Sequence, residues 1–179
     1  MAAETADGGV WVSDANGAAR LRLTGTGDTI TSMAYEPLTG DPLKCGGARR
    51  GSARDWLEAS WDADYPDGVY YLLDQFRAAR TGDLLVIARE GFDFRQRYEV
   101  PEHRSGHGSL ARSHMQTPVW SSEPLPAEPI RTVDLFPAML DWLGVAVPAG
   151  VDGEAIWRPG QLERRGAKAL ANEGAGSEN

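Results

Sequence analysis

Three histidines, His103, His107 and His114, lie within twelve residues of one another in the run PEHRSGHGSLARSHMQTPVW, and they are all the histidines of the chain. Imidazole is the commonest metal-ligating side chain and the usual acid or base near neutral pH, so metal-assisted or proton-transfer chemistry is to be sought here. Their separations of four and seven residues fit neither a zinc-finger spacing nor HExxH. Gly106 and Gly108 bracket His107 and let the backbone approach whatever that ring touches. The same glycines remove any warrant for placing His103 and His107 on one helical face. Two readings therefore stand: a metal or catalytic role for at least one ring, or a capped, hydrogen-bonded surface loop. His103 follows Pro101-Glu102 and is expected to be exposed. His114 precedes TPVW, which reads as a short buried strand, so a satisfied structural histidine fits there equally well. Arg95, Arg97 and Arg104 flank the loop and can meet an anion or pair with Asp93, Glu99 and Glu102.

The elements upstream must present this loop. PDGVYYLLDQFRAARTGD predicts a helix with Val69, Leu72, Leu73 and Phe76 on one stripe. Pro66 suits its first turn and Gly82 its C-terminal cap. The apolar run DLLVIAR then predicts a strand covered on both faces. A helix, a short turn and a buried strand make the αβ half of a doubly wound sheet, where ligands gather beyond the strand's carboxyl end. Nearer the start, GVWVSD and AARLRLT are joined by Ala15-Asn16-Gly17, a hairpin signal of type I′. Ser13-Asp14 belongs to that turn better than to a catalytic pair. DTITSMAYEP adds a third strand ending in the turn-rich Leu38–Pro42, which gives a small antiparallel meander. GGARRGSAR lacks the Lys-Ser/Thr end of a phosphate-cradling loop and reads as solvated, with Ser52 or Asp55 capping a short helix that buries Trp56 and Leu57.

Downstream, Thr132 is the expected cap of a helix with Asp134 in its first turn, Leu135, Met139 and Trp142 facing a core, and Gly144 closing it. Pro137 implies a short first turn before the main helix.

Composition sets outer limits. A chain of 179 residues with 41% hydrophobic and 25% charged content fits one domain, taken as residues 1–160 with a polar, largely disordered tail at 161–179. The net charge of −8 speaks against nucleic acid as a partner, whereas a small phosphate ester stays compatible because a metal can reverse the local sign. One cysteine, Cys45, excludes an internal disulfide. No run reaches the ~18 apolar residues of a membrane span, and no secretory signal is visible, so a cytoplasmic location is expected.

The run TVDLFPAMLDWLGVAVPAGVDG resembles the C-terminal segment of the alkaline phosphatase superfamily. That superfamily includes sulfatases, type I phosphodiesterase/nucleotide pyrophosphatases and phosphoglycerate-mutase-like enzymes. SGHGSLARSHMQTPVW is similar to the His-Gly loop of its phosphodiesterase and phosphatase branches, and the likeness extends over about Asp67 to Trp157. The resemblance implies an α/β fold, part of an alkaline-phosphatase-like sandwich with helices packed on a central sheet. It implies a hydrolase of phosphate or sulfate esters that uses a divalent metal, zinc or manganese. It makes His107 a metal ligand and leaves His103 and His114 as supporting residues. The family's nucleophile, its Asp-His-Gly motif and its Asp-x-x-x-His pair have no counterpart in this chain. One histidine cannot hold a catalytic zinc, which takes about three protein ligands. The implied protein is therefore the C-terminal portion of such an enzyme, inactive alone and partnered by a complementary N-terminal segment or by itself. The alternative is a non-catalytic stand-alone domain of the same descent.

Overall fold

Alternating small or apolar side chains build the sheet. The computed structural model describes residues 1–5, 8–26, 29–92, 94, 108–122 and 124–156. The chain divides into two compact units, residues 1–118 and 119–179, where the sequence reads 1–160 as one domain. In the first unit, strands β1 (Ala2–Glu4), β2 (Val10–Asp14), β3 (Gly17–Thr26), β4 (Thr29–Gly40), β5 (Arg49–Gly51) and β6 (Leu84–Leu85) form one sheet. Its order is β5-β4-β3-β2-β1-β6, and every neighbouring pair is antiparallel. Val10 and Val12 of β2, Ala19 and Leu21 of β3, and Met33 and Tyr35 of β4 are buried on one face. Between them stand Trp11, Arg20 and Arg22, none of them buried, as the period of two requires.

Helices α1 (Ala53–Ser60) and α2 (Gly68–Arg77) cover the apolar face. Ser52 and Asp55 cap α1 together: the Ser52 hydroxyl accepts from the Asp55 N–H at 3.2 Å while the Asp55 carboxylate accepts from the Ser52 N–H at 2.8 Å. Trp56 is the hub of the core. Its Nε1–H donates to the Met33 carbonyl at 3.0 Å, and its ring meets Tyr35 edge-on at 6.5 Å. In α2 the stripe of Val69, Leu72 and Leu73 is buried as its spacing predicts. A third helix, the single turn α3 (Arg112–Met115), lies near the end of this unit.

Several local expectations change. The first hairpin is two residues long, with Asp14 opposite Gly17, but only Gly17 takes positive φ. The Asp14 carboxylate instead holds the turn by accepting from the Asn16 backbone at 2.7 Å and its amide at 2.8 Å. β4 runs on to Gly40, past the turn expected at Leu38, and Gly17 and Gly40 lie opposite each other. A Cβ at Gly17 would sit 1.9 Å from the Thr39 carbonyl oxygen, and one at Gly40 would sit 1.7 Å from that of Asn16, so only glycine permits this approach. Part of the expected solvated loop, Arg49–Gly51, is an edge strand. Helix α2 starts after Asp67, itself at φ 55°, and not at Pro66; it ends at Arg77 with Ala78 extended, so Gly82 is no cap.

The largest correction concerns DLLVIAR. It forms no buried parallel strand. β6 pairs antiparallel with β1 at the sheet edge, and Leu84 and Val86 are 52% and 48% exposed. A strand that packs one face on the core, with no strand beyond it among the described residues, does not bury both rows of side chains. The described sheet is thus a five-stranded antiparallel meander with β6 added at one edge, and no doubly wound half occurs among the described residues.

The second unit carries a 3₁₀ turn (Thr132–Asp134) leading into helix α4 (Leu135–Trp142). The short first turn expected from Pro137 is present, and the proline itself is buried in the helix's first turn. Gly144, at φ 71°, closes α4: the Leu143 N–H donates to Met139, Gly144 to Asp141 and Val145 to Leu140. Thr132 is exposed and is not the cap. Asp134 fills that role from the third position, accepting from the Arg131 N–H at 2.7 Å. The expected core stripe is not buried either, since Met139 and Trp142 are 55% and 54% exposed while Pro137 and Ala138 face inward. TPVW forms no strand, and Trp120 is almost fully exposed. No helix among the described residues is long and apolar enough to cross a membrane.

Candidate functional site

One cleft of about 970 Å³ opens in the first unit where several loops converge. The β2 turn, the Pro42–Lys44 bend, the α1–α2 link at Asp64 and Tyr65, the stretch Ile87–Glu90 and the segment Ser109–Ser113 line it. Lys44 takes a left-handed φ of 54°, and its ammonium meets the Asp64 carboxylate across the cleft. Hydrogen bonding to Asp64 and its charge push Lys44 up, and the same contacts with Lys44 hold Asp64 below the ordinary carboxylate range. Both groups lie at the surface, so the pair orders the loop and adds little stability. Arg112 fastens the opposite wall. Its backbone N–H donates to the Asp64 carbonyl at 2.9 Å, and its guanidinium donates to the carbonyls of Asp62 and Ala63.

His114 stands on the four-residue helix α3. Its Nδ1 receives the Ser109 N–H at 3.2 Å and lies 3.0 Å from the Ser109 hydroxyl. A backbone donor aimed at Nδ1 makes that nitrogen the acceptor, which leaves the ring proton on Nε2. Nε2 faces Glu90, 3.8 Å from its Oε1, and the Ser113 hydroxyl donates to the same oxygen at 2.5 Å. The arrangement is a carboxylate, an imidazole and a hydroxyl in a row. The Ser109 hydroxyl also accepts from the Ala111 N–H at 3.2 Å, so the row closes a turn as well.

His107 and His103 lie outside the described residues, as do Arg95, Arg97, Arg104, Asp93, Glu99 and Glu102. Of the three histidines, the structure therefore places His114 alone. Among the described residues, no group of three His, Cys, Asp or Glu side chains is arranged to hold a metal ion. Glu90, Lys44 and Asp64 carry no signal in the sequence that would have joined them to the histidine loop. Lys44 and Asp64 are brought together across twenty positions by β5 and α1, which lie between them.

A second polar cluster lies beside the core. The Asp41 carboxylate accepts from the Tyr35 hydroxyl at 2.5 Å, the Cys45 N–H at 3.0 Å and the Gly46 N–H at 2.7 Å. Burial alone would raise Asp41, but the Tyr35 hydroxyl and the N–H groups of Cys45, Gly46 and Gly47 outweigh it and hold the carboxyl low. The stability this lends is present above the ordinary value of 3.8 and is lost as the pH falls through the lowered one. Tyr35 moves the opposite way, upward, through burial first and then its hydrogen bond to Asp41. Cys45 shares the cluster and is no nucleophile. Burial first, then the Asp41 charge, pushes its thiol up to about 12, against a smaller pull from Arg49. At pH 8 iodoacetamide should alkylate Cys45 roughly a hundredfold or more slower in the folded chain than in urea, by intact-mass spectrometry. Equal rates would show an exposed thiolate.

The chain matches no family model, no curated protein and no solved structure.

Proposed function

We propose that this chain is the C-terminal portion of a metal-dependent phosphoric-ester hydrolase, with His107 as one metal ligand. The nucleophile and remaining ligands come from outside these 179 residues. The described sheet and helices are then part of an alkaline-phosphatase-like sandwich, and zinc or manganese is the expected metal. A small phosphate or sulfate ester is the expected substrate. The observation that carries this reading is the form taken by TVDLFPAMLDWLGVAVPAGVDG, the run whose residues resemble that family, and by the residues that flank it.

Asp134 acts as a buckle in that run. Its buried carboxylate accepts from the Arg131 N–H at 2.7 Å and from the Glu154 N–H at 2.8 Å, so it ties the start of α4 to the Asp-Gly turn twenty residues on. Gly153 lies so close to the Val133 carbonyl that a Cβ would come within 2.2 Å of its oxygen. The Asp and the Gly are thus spent on architecture and carry no chemistry. The buckled helix leaves Phe136, Met139 and Leu143 exposed at spacings of three and four, one apolar stripe. Such a stripe suits a helix that packs on a further protein surface.

A non-catalytic stand-alone domain is the second reading. It is favoured by the first unit, whose sheet and two helices close a core of their own around Trp56 and Tyr35.

The purified chain, assayed with p-nitrophenyl phosphate and its bis ester in zinc, manganese or magnesium, should give no turnover above a His107→Ala control. Co-expression with the polypeptide encoded directly upstream should restore metal-dependent hydrolysis, and His107→Ala should abolish it. Robust turnover by the chain alone would overturn the proposal. An upstream polypeptide that never confers activity would favour the second reading.

A further inference from the structure

The edge strand β6 ends the sheet with its outer side unpaired by any strand among the described residues. Its ladder to β1 covers only Ala2–Leu85 and Ala3–Leu84, yet the alternation of exposure continues beyond it. Leu84 and Val86 are exposed, whereas Leu85 and Ile87 are partly buried against the core. Residues 84–87 thus keep the two-faced pattern of a strand that has one neighbouring strand instead of two among the described residues. An apolar, open edge of this kind is a template for pairing with another strand.

The sequence of the edge specifies which strand. In Asp83-Leu-Leu-Val-Ile-Ala-Arg89, the charges are symmetric about Val86. An antiparallel pair of two copies centred on Val86 sets Asp83 opposite Arg89 of the second copy, and Arg89 opposite Asp83 of the second copy. It sets Leu84 opposite Ala88, and Leu85 opposite Ile87, each pair twice over by the two-fold axis. The core-facing Leu85 and Ile87 then meet each other, and both ends are closed by opposite charges, an arrangement that favours cross-strand pairing. A register slip of one residue would lose both charge pairs and is disfavoured for that reason.

We infer that the β6 edge is a homodimer interface, through which two copies join their sheets into one continuous sheet about a two-fold axis at Val86. This does not depend on the phosphoric-ester reading, because it concerns the folded chain by itself.

The test is sedimentation velocity on the full chain over a concentration series, with charge-reversed variants. Wild type should dimerise. Asp83→Arg and Arg89→Asp should each place like charges opposite at both ends and weaken the dimer by on the order of tenfold or more. Mixing the two single variants should restore a heterodimer, because one chain then carries a cation at both ends of the edge and the other an anion at both ends. The double variant Asp83→Arg/Arg89→Asp should self-associate like wild type. A misfolded variant would show no such rescue, and circular dichroism of each single variant checks its fold. A wild-type chain that stays monomeric at high micromolar concentration overturns the inference. So does a dimer insensitive to both reversals, which would place the contact elsewhere, with the exposed face of α4 as the next surface to vary.

Discussion

Trp56→Ala should lower the stability of the first unit by about 3–5 kcal/mol, the range for removing a buried large aromatic side chain. Three losses combine. The indole is buried at the centre of the cluster formed by β2, β3, β4 and α2, and its removal leaves a cavity that these rigid elements cannot close. The edge-on contact with Tyr35 disappears, a pair geometry worth about 0.5–1.5 kcal/mol beyond its area. The Met33 carbonyl also loses the indole N–H that reaches it from α1. Trp56→Phe keeps a ring but not the donor and should fall between the two. Urea unfolding followed by far-UV circular dichroism measures this cleanly, because five further tryptophans complicate fluorescence. A loss below about 1 kcal/mol for the alanine variant would mean that α1 does not hold the sheet through this residue.

Asp134→Ala is expected to be the most damaging change in the second unit. It strands two backbone donors, the buried N–H of Arg131 and the part-buried N–H of Glu154, and hydrogen bonds to a charged group are worth about 1.5–3 kcal/mol each. The expected readout is loss of amide protection across residues 132–145 and at 153–154 together, by hydrogen exchange and mass spectrometry. Gly153→Ala should give the same pattern through a different cause, since its Cβ would collide with the Val133 carbonyl and force the turn away from α4. Thr132→Ala, by contrast, should change little, because the Thr132 side chain is exposed and does not cap the helix. If protection survives in Asp134→Ala, or if Thr132→Ala removes as much of it, the buckle is not what joins helix to turn.

Asp134 is easy to misread in one dimension. Along the chain Thr132 is the better cap and Asp134 merely a favourable charge near a helix start. The capping oxygen is chosen by where the chain returns, and only the fold brings the Glu154 N–H within 2.8 Å of Asp134. The same applies to the cleft, where Lys44, Asp64, Glu90 and Ser109 are joined by elements folded between them.

Local signals carried the strands and helices well. The hairpin at Asn16, the cap of α1 at Ser52, the α2 stripe and the Pro137 turn all follow from spacings of two, three or four residues, which act within a few ångströms along the chain. Burial was legible only where a periodic stripe met a partner face. DLLVIAR has the composition of a central strand, but composition states how much apolar surface a segment carries and not what will cover it. In the tertiary structure its only described neighbour is β1, so it lies at an edge with Leu84 and Val86 in solvent. The stripe of α4 is exposed for the same reason. Residue type marks the three histidines as chemistry-bearing, and the family resemblance singles out His107. Only packing decided that His114 turns Nδ1 to Ser109 and Nε2 toward Glu90, because hydrogen-bond partners are set by distance in space and not by separation in sequence.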